Sequence, residues 1–223
     1  MLKALRSHGL PFCNPPTNLF YNKMIMVQNN LIDYYNKNAE NFIQDTINVN
    51  MDALYQPFLS LIQPGGNILD AGCGSGRDTL YFKNMGYQVT AFDASEELVK
   101  ISSDLIGHPV LHLSFDDIIF RESFDGIWAC ASLLHLPKAE MASVIKKLPR
   151  VLKPNGVLYT SFKYGLGEGF RNGRYFSDYT DESFRDLISE IPELQIISTW
   201  ITTDVRKGRS DEKWLNILLN IAN

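Results

Sequence analysis

Asn67-Ile68-Leu69-Asp70-Ala71-Gly72-Cys73-Gly74-Ser75-Gly76-Arg77-Asp78 decides how the rest of the chain is read. The turn signal Pro64-Gly65-Gly66 precedes it, a short apolar run fills its first half, and glycines at alternate positions lead into a helical pattern. That order predicts strand, glycine loop and helix. A glycine lets backbone approach where a Cβ would stand, so a ligand can lie against exposed N–H groups at the positive end of the following helix. The spacing Gly72, Gly74, Gly76 departs from the G-x-G-x-x-G of a dinucleotide site, and Asp70 at the strand end would repel a pyrophosphate. The same carboxylate suits a cationic group. The plainer alternative is a buried tight turn with a capping aspartate.

Downstream, a helix from Asp78 to Met85 ends at Gly86 in the manner of a C-terminal glycine. Val89 to Asp93 then forms the second strand. Asp93 follows the loop at about the distance where an acidic residue meets ribose hydroxyls in a βαβ unit, and a carboxylate can accept from both. Capping the next helix, Ser95 to Ile106, falls more naturally to Ser95, with Glu96 and Glu97 in its first turn. Val110 to Leu113 is the third strand. The stretch from Phe124 to Pro137 reads as a strand ending on the small residues Ala129, Cys130 and Ala131. The helix predicted from Lys138 to Leu152 carries the stripe Met141, Val144, Ile145 and Leu148. Lys153-Pro154-Asn155-Gly156 turns the chain into a fifth strand, Val157 to Phe162. Strand, helix, strand alternation implies a parallel sheet covered on both faces, with its ligand site beyond the strands' carboxyl ends.

With 223 residues, 45% of them hydrophobic and 21% charged, the chain can bury one substantial core. Residues 28–223 are expected to form a single domain, with cap helices in 28–63, a cofactor-binding core in 67–162 and a substrate side in 163–223. Residues 1–27, with Pro11, Pro15 and Pro16, read as a flexible extension. Met24 and Met26 offer a shorter native start. No apolar run approaches a membrane span, and no signal peptide is evident. Three widely spaced cysteines (Cys13, Cys73, Cys130) lack metal-ligand or disulfide spacing. These features point to a cytoplasmic protein with no metal. A net charge of -4 counts against a dedicated nucleic-acid binder.

The glycine loop, Asp70 and Asp93 closing the first two strands, the Phe124–Pro137 strand and the turn Leu152-Lys153-Pro154-Asn155-Gly156 together resemble the class I S-adenosylmethionine-dependent methyltransferases, continuously from Ile68 to Phe162. In motif order the chain looks like their bacterial small-molecule and tellurite-resistance type members. The resemblance implies an α/β fold: a Rossmann-like, doubly wound sheet of about seven strands, mostly parallel with an antiparallel last strand. It also implies S-adenosyl-L-methionine as cofactor and S-adenosyl-L-homocysteine as product. Asp70 would meet the methionine amino group, the loop residues Gly72, Cys73, Gly74 and Gly76 would face the cofactor, and Asp93, beside Ala94, would hold the ribose. Phe115 would pack on the adenine, with either Asp116 or Asp117 accepting from its amino group. Ala129 and Cys130 would line the methionine arm. Helices predicted from Asn29 to Thr46 and from Asp52 to Ile62 would cap the cofactor, where Tyr34 or Tyr35 either packs in the core or reaches the cofactor's carboxylate.

Substrate choice is expected in the remainder. Lys163 to Asp178 reads as a glycine-rich loop, Thr180 opens a helix, and Glu193–Thr202 and Lys213–Leu219 are the final strands. Arg171, Arg174 and Tyr175 in the first segment, with Arg206 and Arg209 between the last strands, would form a cationic mouth for a carboxylate or phosphate. Otherwise they are solvated loops. His135 is the candidate general base, or else a packed histidine. The implied chemistry is in-line methyl transfer to a small-molecule, anionic acceptor. The alternatives are an RNA nucleoside methyltransferase or a non-catalytic S-adenosylmethionine-binding protein, monomeric or dimeric.

Overall fold

The computed structural model describes residues 18–120, 123–206 and 208–222. In chain order these form α1 (Asn18–Thr46), α2 (Asp52–Leu59), β1 (Asn67–Ala71), α3 (Arg77–Asn84), β2 (Gln88–Asp93), α4 (Glu96–Ile106), β3 (Val110–His112) and β4 (Phe124–Ala129). There follow α5 (Lys138–Ile145), β5 (Leu152–Lys163), β6 (Glu168–Arg171), β7 (Arg174–Ser177), α6 (Asp181–Ser189), β8 (Leu194–Thr203) and β9 (Lys213–Ile221). Seven strands make one sheet in the order β3-β2-β1-β4-β5-β9-β8. The first five are parallel, and β9 runs antiparallel to both β5 and β8. The order reverses between β1 and β4, the crevice where open α/β sheets bind ligands.

The sheet is covered on both sides because its strands alternate between two apolar faces. Leu69, Ile127 and Leu158 face α5 and α6 through Met141, Val144, Phe184 and Ile188. Their neighbours Ile68, Trp128 and Tyr159 face α2 and α3 through Leu54, Tyr55, Phe58 and Phe82. On that second face Trp128 and Tyr159 stack with ring centroids 3.9 Å apart, and such pairs add about 0.5–1.5 kcal/mol beyond the burial of their area. Ser95 caps α4 as expected, its Oγ accepting from the Leu98 amide. Thr180 closes a capping box on α6. No helix among the described residues is long and apolar enough to cross a membrane.

Three segments depart from the sequence-based expectation. α1 begins at Asn18, so the second part of the stretch read as a flexible extension is helical, and Val27 in it is buried; residues 1–17, including Cys13, lie outside the described residues. Ile145 ends α5, and Leu148–Val151 forms a separate single turn opened by Pro149, which cannot continue an α-helix ladder. The expected turn at Lys153–Gly156 lies inside β5 as a bulge: Phe124 pairs with Leu152, but Gly126 already pairs with Val157, and Asn155 takes the left-handed conformation at φ 65°.

A fourth departure matters most for the site. Lys163–Asp178 is an ordered hairpin, β6 paired antiparallel to β7, turned by Asn172-Gly173 with φ 49° and 78°. Consecutive positive φ values on an Asn-Gly pair are the two-residue turn that matches strand twist. A Cβ on Gly173 would stand 2.9 Å from Tyr34 Cδ2, so glycine also lets the hairpin tip close against α1.

Candidate active site

The glycine loop is tied to β2 before any ligand arrives. The amides of Gly72 and Cys73 both donate to the Phe92 carbonyl at 2.9 Å. Gly74 N–H donates to Asp93 Oδ2 and Ser95 N–H to Asp93 Oδ1, both at 2.9 Å. Burial pushes the Asp93 carboxyl up, and those amides work against the rise. Gly72, at φ 77°, has no room for a side chain, since a Cβ would lie 2.6 Å from Ser132 Cβ. The loop thus rests against the segment that follows β4.

A cavity of about 680 Å³ opens above these strand ends, within the range of small-molecule sites. α1 roofs it with Gln28, Leu31 and Tyr35. Gly72, Cys73, Gly74, Asp93, Ala94, Phe115 and Asp116 line one end. Cys130 and His135 lie on its floor, and Arg171, Arg174, Arg206 and Arg209 line the other end. Two segments far apart in sequence, the β6–β7 hairpin and the β8–β9 connection, therefore meet over one space.

Five expected site residues do not face it. Asp70 lies buried beneath the loop, accepting from Thr79 Oγ1 at 2.6 Å, and burial together with the negative charge of Asp78 pushes its carboxyl up. Gly76 serves packing, because its Cβ would strike Ile106 Cγ2 at 2.9 Å. Ala129 sits fully buried in the apolar core. The Tyr175 hydroxyl turns to Glu168 Oε1 at 3.0 Å. Asp117 is consumed by local structure, accepting from the Ser114 amide and hydroxyl at 3.0 and 2.7 Å. Of the two adjacent aspartates, Asp116 is the one on the cavity wall, where it pairs with Lys147 at 2.7 Å.

His135 follows the second of its two readings, the packed histidine. One ring nitrogen, Nδ1, lies 2.6 Å from the Tyr175 carbonyl, which can only accept, so Nδ1 carries the proton. Nε2 then accepts from the Tyr35 hydroxyl at 2.8 Å. Burial, with smaller contributions from Arg174 and Arg171, pulls the imidazole down to about 4 against the opposing carbonyl contact. Both nitrogens are engaged, so the ring is a neutral strut joining α1, the floor and β7 rather than a free base. Tyr35 is correspondingly committed to that strut.

The arginines divide. Arg171 is held by Asp178 in a two-pronged pair at 2.9 and 2.5 Å. Arg206 is held by Asp204 at 2.9 and 2.6 Å, while Lys163 and Trp214 Nε1 approach the same carboxylate at 3.3 and 3.0 Å. Burial disfavours the Asp204 charge, but Arg206 and the other donors more than offset it and hold the carboxyl well below its usual range. Arg209 has a loose pairing with Glu212 at 3.9 Å. Arg174 makes no carboxylate pair among the described residues, and its buried Nε–H meets no acceptor.

Sequence reasoning did not assign roles to several lining residues. Arg77 packs two of its nitrogens on Asp78 at 2.6 and 2.9 Å, and Asp78 also accepts from Tyr55 Oη and Trp128 Nε1. Burial opposes the Asp78 charge, but these donors keep its carboxyl low. Asn216, fully buried, accepts from Tyr159 Oη at 2.7 Å and donates to Thr202 Oγ1 at 3.0 Å. A lone amide inside the apolar run Leu215–Leu219 was the available signal, since a buried polar group needs partners.

Comparison with known proteins agrees with this architecture. Residues 69–160 match a family model described as a methyltransferase domain. Over that segment the chain is similar to methyltransferase domains. It is 32% identical over 130 residues to the 2-methyl-6-phytyl-1,4-hydroquinone methyltransferase of Synechocystis, covering 54% of this chain and 39% of that one. It is 34% identical over 107 residues to a ubiquinone biosynthesis O-methyltransferase of Xanthomonas campestris, covering 44% and 43%. The chain spans about half the length, or less, of these curated relatives. Among solved structures, the 1,6-didemethyltoxoflavin-N1-methyltransferase of Burkholderia thailandensis has the same fold, with TM-score 0.71 at 17% identity over 97% of this chain and 94% of that one. The matched residues thus include the glycine loop, Asp93 and the ends of the parallel strands, and the hairpin and the β8–β9 connection lie outside them.

Proposed function

We propose that this chain transfers a methyl group from S-adenosylmethionine to a small-molecule acceptor bearing an anionic group. The observation that carries this reading is the continuity of one cavity from the glycine loop and Asp93 to the arginine-lined end. A cofactor and an acceptor can meet there in line without solvent between them. Each Asp93 oxygen accepts a single amide and so retains acceptor capacity for one ribose hydroxyl. Phe115 and Asp116 lie at the same end for an adenine. Bound S-adenosylmethionine would supply a sulfonium methyl as electrophile. Asp70, one layer below the loop, favours a cation above it through its field, since positive charge there stabilises the ionised carboxylate.

The protein's own part is alignment, because the leaving group needs no protonation; effective molarities for well-oriented partners reach on the order of 10⁵ M or more. Relatives of known acceptor, by their names, methylate quinones or toxoflavin precursors, which favours a small molecule over a polymer here. Four of the five lining arginines have carboxylate partners, an arrangement poorly suited to gripping an RNA backbone. Calorimetry with S-adenosylhomocysteine tests the reading directly. Micromolar uptake supports it, and no heat of binding at millimolar ligand discards it.

A further inference from the structure

Resting on the methyl-transfer reading, we infer that Arg174 is the acceptor-reading residue, and that it selects a planar conjugated acid bound as its anion. The guanidinium is oriented before any acceptor arrives. Its carbon lies 5.3 Å from the Tyr34 ring centroid and 5.2 Å from that of Phe176, so rings from α1 and β7 both pack against it. The planar edge, with its donors, is left for something else. A buried Nε–H without an acceptor is an exception that calls for an explanation in a folded protein. Here a ligand oxygen supplies it, because the residue lines the cavity. The neighbouring arginines are not equivalent, since Arg171 and Arg206 already spend their forks on Asp178 and Asp204.

Among the described residues no usable base stands nearby, and that defines the acceptor further. His135 has both nitrogens engaged. The Cys130 thiol is half-buried and accepts only a weak contact from Ser161. Asp178, Asp204 and Glu212 are held by Arg171, Arg206 and Lys163, and Asp211 stands exposed at the rim. The acceptor must therefore arrive as a nucleophile, its proton already lost to solvent. A delocalised acid such as an enol, a phenol or an acidic ring N–H meets that need when a guanidinium stabilises its anion. The anion's lone pair forms the bond to the methyl carbon, the carbon–sulfur bond breaks with its electron pair going to sulfur, and the positive and negative charges cancel. Tyr164, Phe176 and Trp214 on the surrounding wall suit a flat ring.

The test uses the full chain saturated with S-adenosylhomocysteine and titrated calorimetrically with 2-naphthoate, its neutral isostere 2-naphthamide, and acetate. Wild type should bind the naphthoate at least tenfold more tightly than either comparator. R174Q should lose that preference by tenfold or more while its affinity for naphthamide and for S-adenosylhomocysteine stays within twofold. R174K, which keeps the charge but not the fork, should fall between, and it guards against a folding defect in the first variant. The inference is overturned by equal naphthoate affinity in wild type and R174Q, by no naphthoate preference in wild type, or by a tenfold loss of S-adenosylhomocysteine affinity in R174Q, which would assign the arginine to the cofactor. Failure of wild type to take up S-adenosylhomocysteine would instead sink the methyl-transfer reading, whatever the anions do.

Discussion

The two ends of the cavity are built on different principles. At the loop end, the groups lie within one or two residues of strand termini, and backbone amides do most of the work: Gly74 and Ser95 fix Asp93, and the Phe92 carbonyl fixes the loop. At the arginine end, side chains hold side chains, over separations from two residues between Arg206 and Asp204 to 49 between Lys163 and Glu212. Lys163, Asp204, Arg206, Glu212 and Trp214 form one knot, and Arg171 with Asp178 a second. A backbone-built site changes little with sequence, whereas a site built from paired side chains can be rewired by single substitutions. The first arrangement suits a common cofactor and the second a particular acceptor.

That contrast is most exposed to failure at Asp93. Asp93→Ala should weaken S-adenosylhomocysteine binding about 100-fold, the loss of two hydrogen bonds to a charged group, whereas Asp70→Asn, acting from beneath the loop, should cost less than tenfold. Equal losses in calorimetry would mean that the loop, rather than its carboxylates, carries affinity. Next is the hairpin tip. Gly173→Val forces a branched side chain into φ 78° and against Tyr34, and should destabilise the fold by about 2 kcal/mol. Denaturant melts check the stability, and unchanged S-adenosylhomocysteine affinity would show that the two ends are independent.

The His135 strut gives a smaller, pH-dependent effect. Its pKa in the folded chain, about 4, lies below the unfolded value of about 6.5, so protons bind the unfolded chain more readily. Its contribution to stability is therefore complete above about pH 6.5 and is lost as pH falls towards 4. His135→Gln should narrow its stability gap to wild type by on the order of 1 kcal/mol between pH 7 and pH 5, measured by thermal melts in parallel. A constant gap would mean the imidazole titrates freely. Smallest is the pair after β3. Asp117→Ala should cost about 0.5–1 kcal/mol of stability through the lost cap and leave ligand binding alone, whereas Asp116→Ala should weaken S-adenosylhomocysteine binding a few-fold with no loss of stability. The reverse pattern would exchange their assignments.

The parallel core was legible because apolar runs, glycines and caps report on their immediate neighbours: Ser95 and Thr180 cap as expected, and Asp93 closes β2 beside the loop. The hairpin was legible in principle, through Asn172-Gly173, but the surrounding glycines hid the strand alternation. The other misreadings concern direction rather than place. Asp70, Gly76 and Ala129 sit in the expected elements, yet a residue's position along a strand does not reveal which partner its side chain will find.

By itself, the sequence determined the strand and helix order, the glycine loop, the acidic residue closing the second strand and the family these motifs resemble, because each depends on residues a few positions apart. Only the tertiary structure decided that His135 is a strut, that Asp116 rather than Asp117 faces the cavity, and that Arg174, unlike Arg171, Arg206 and Arg209, has no carboxylate partner among the described residues. Those outcomes depend on which charges and rings meet across the fold, where burial and pairing energies of groups far apart in the chain set the protonation and orientation of each.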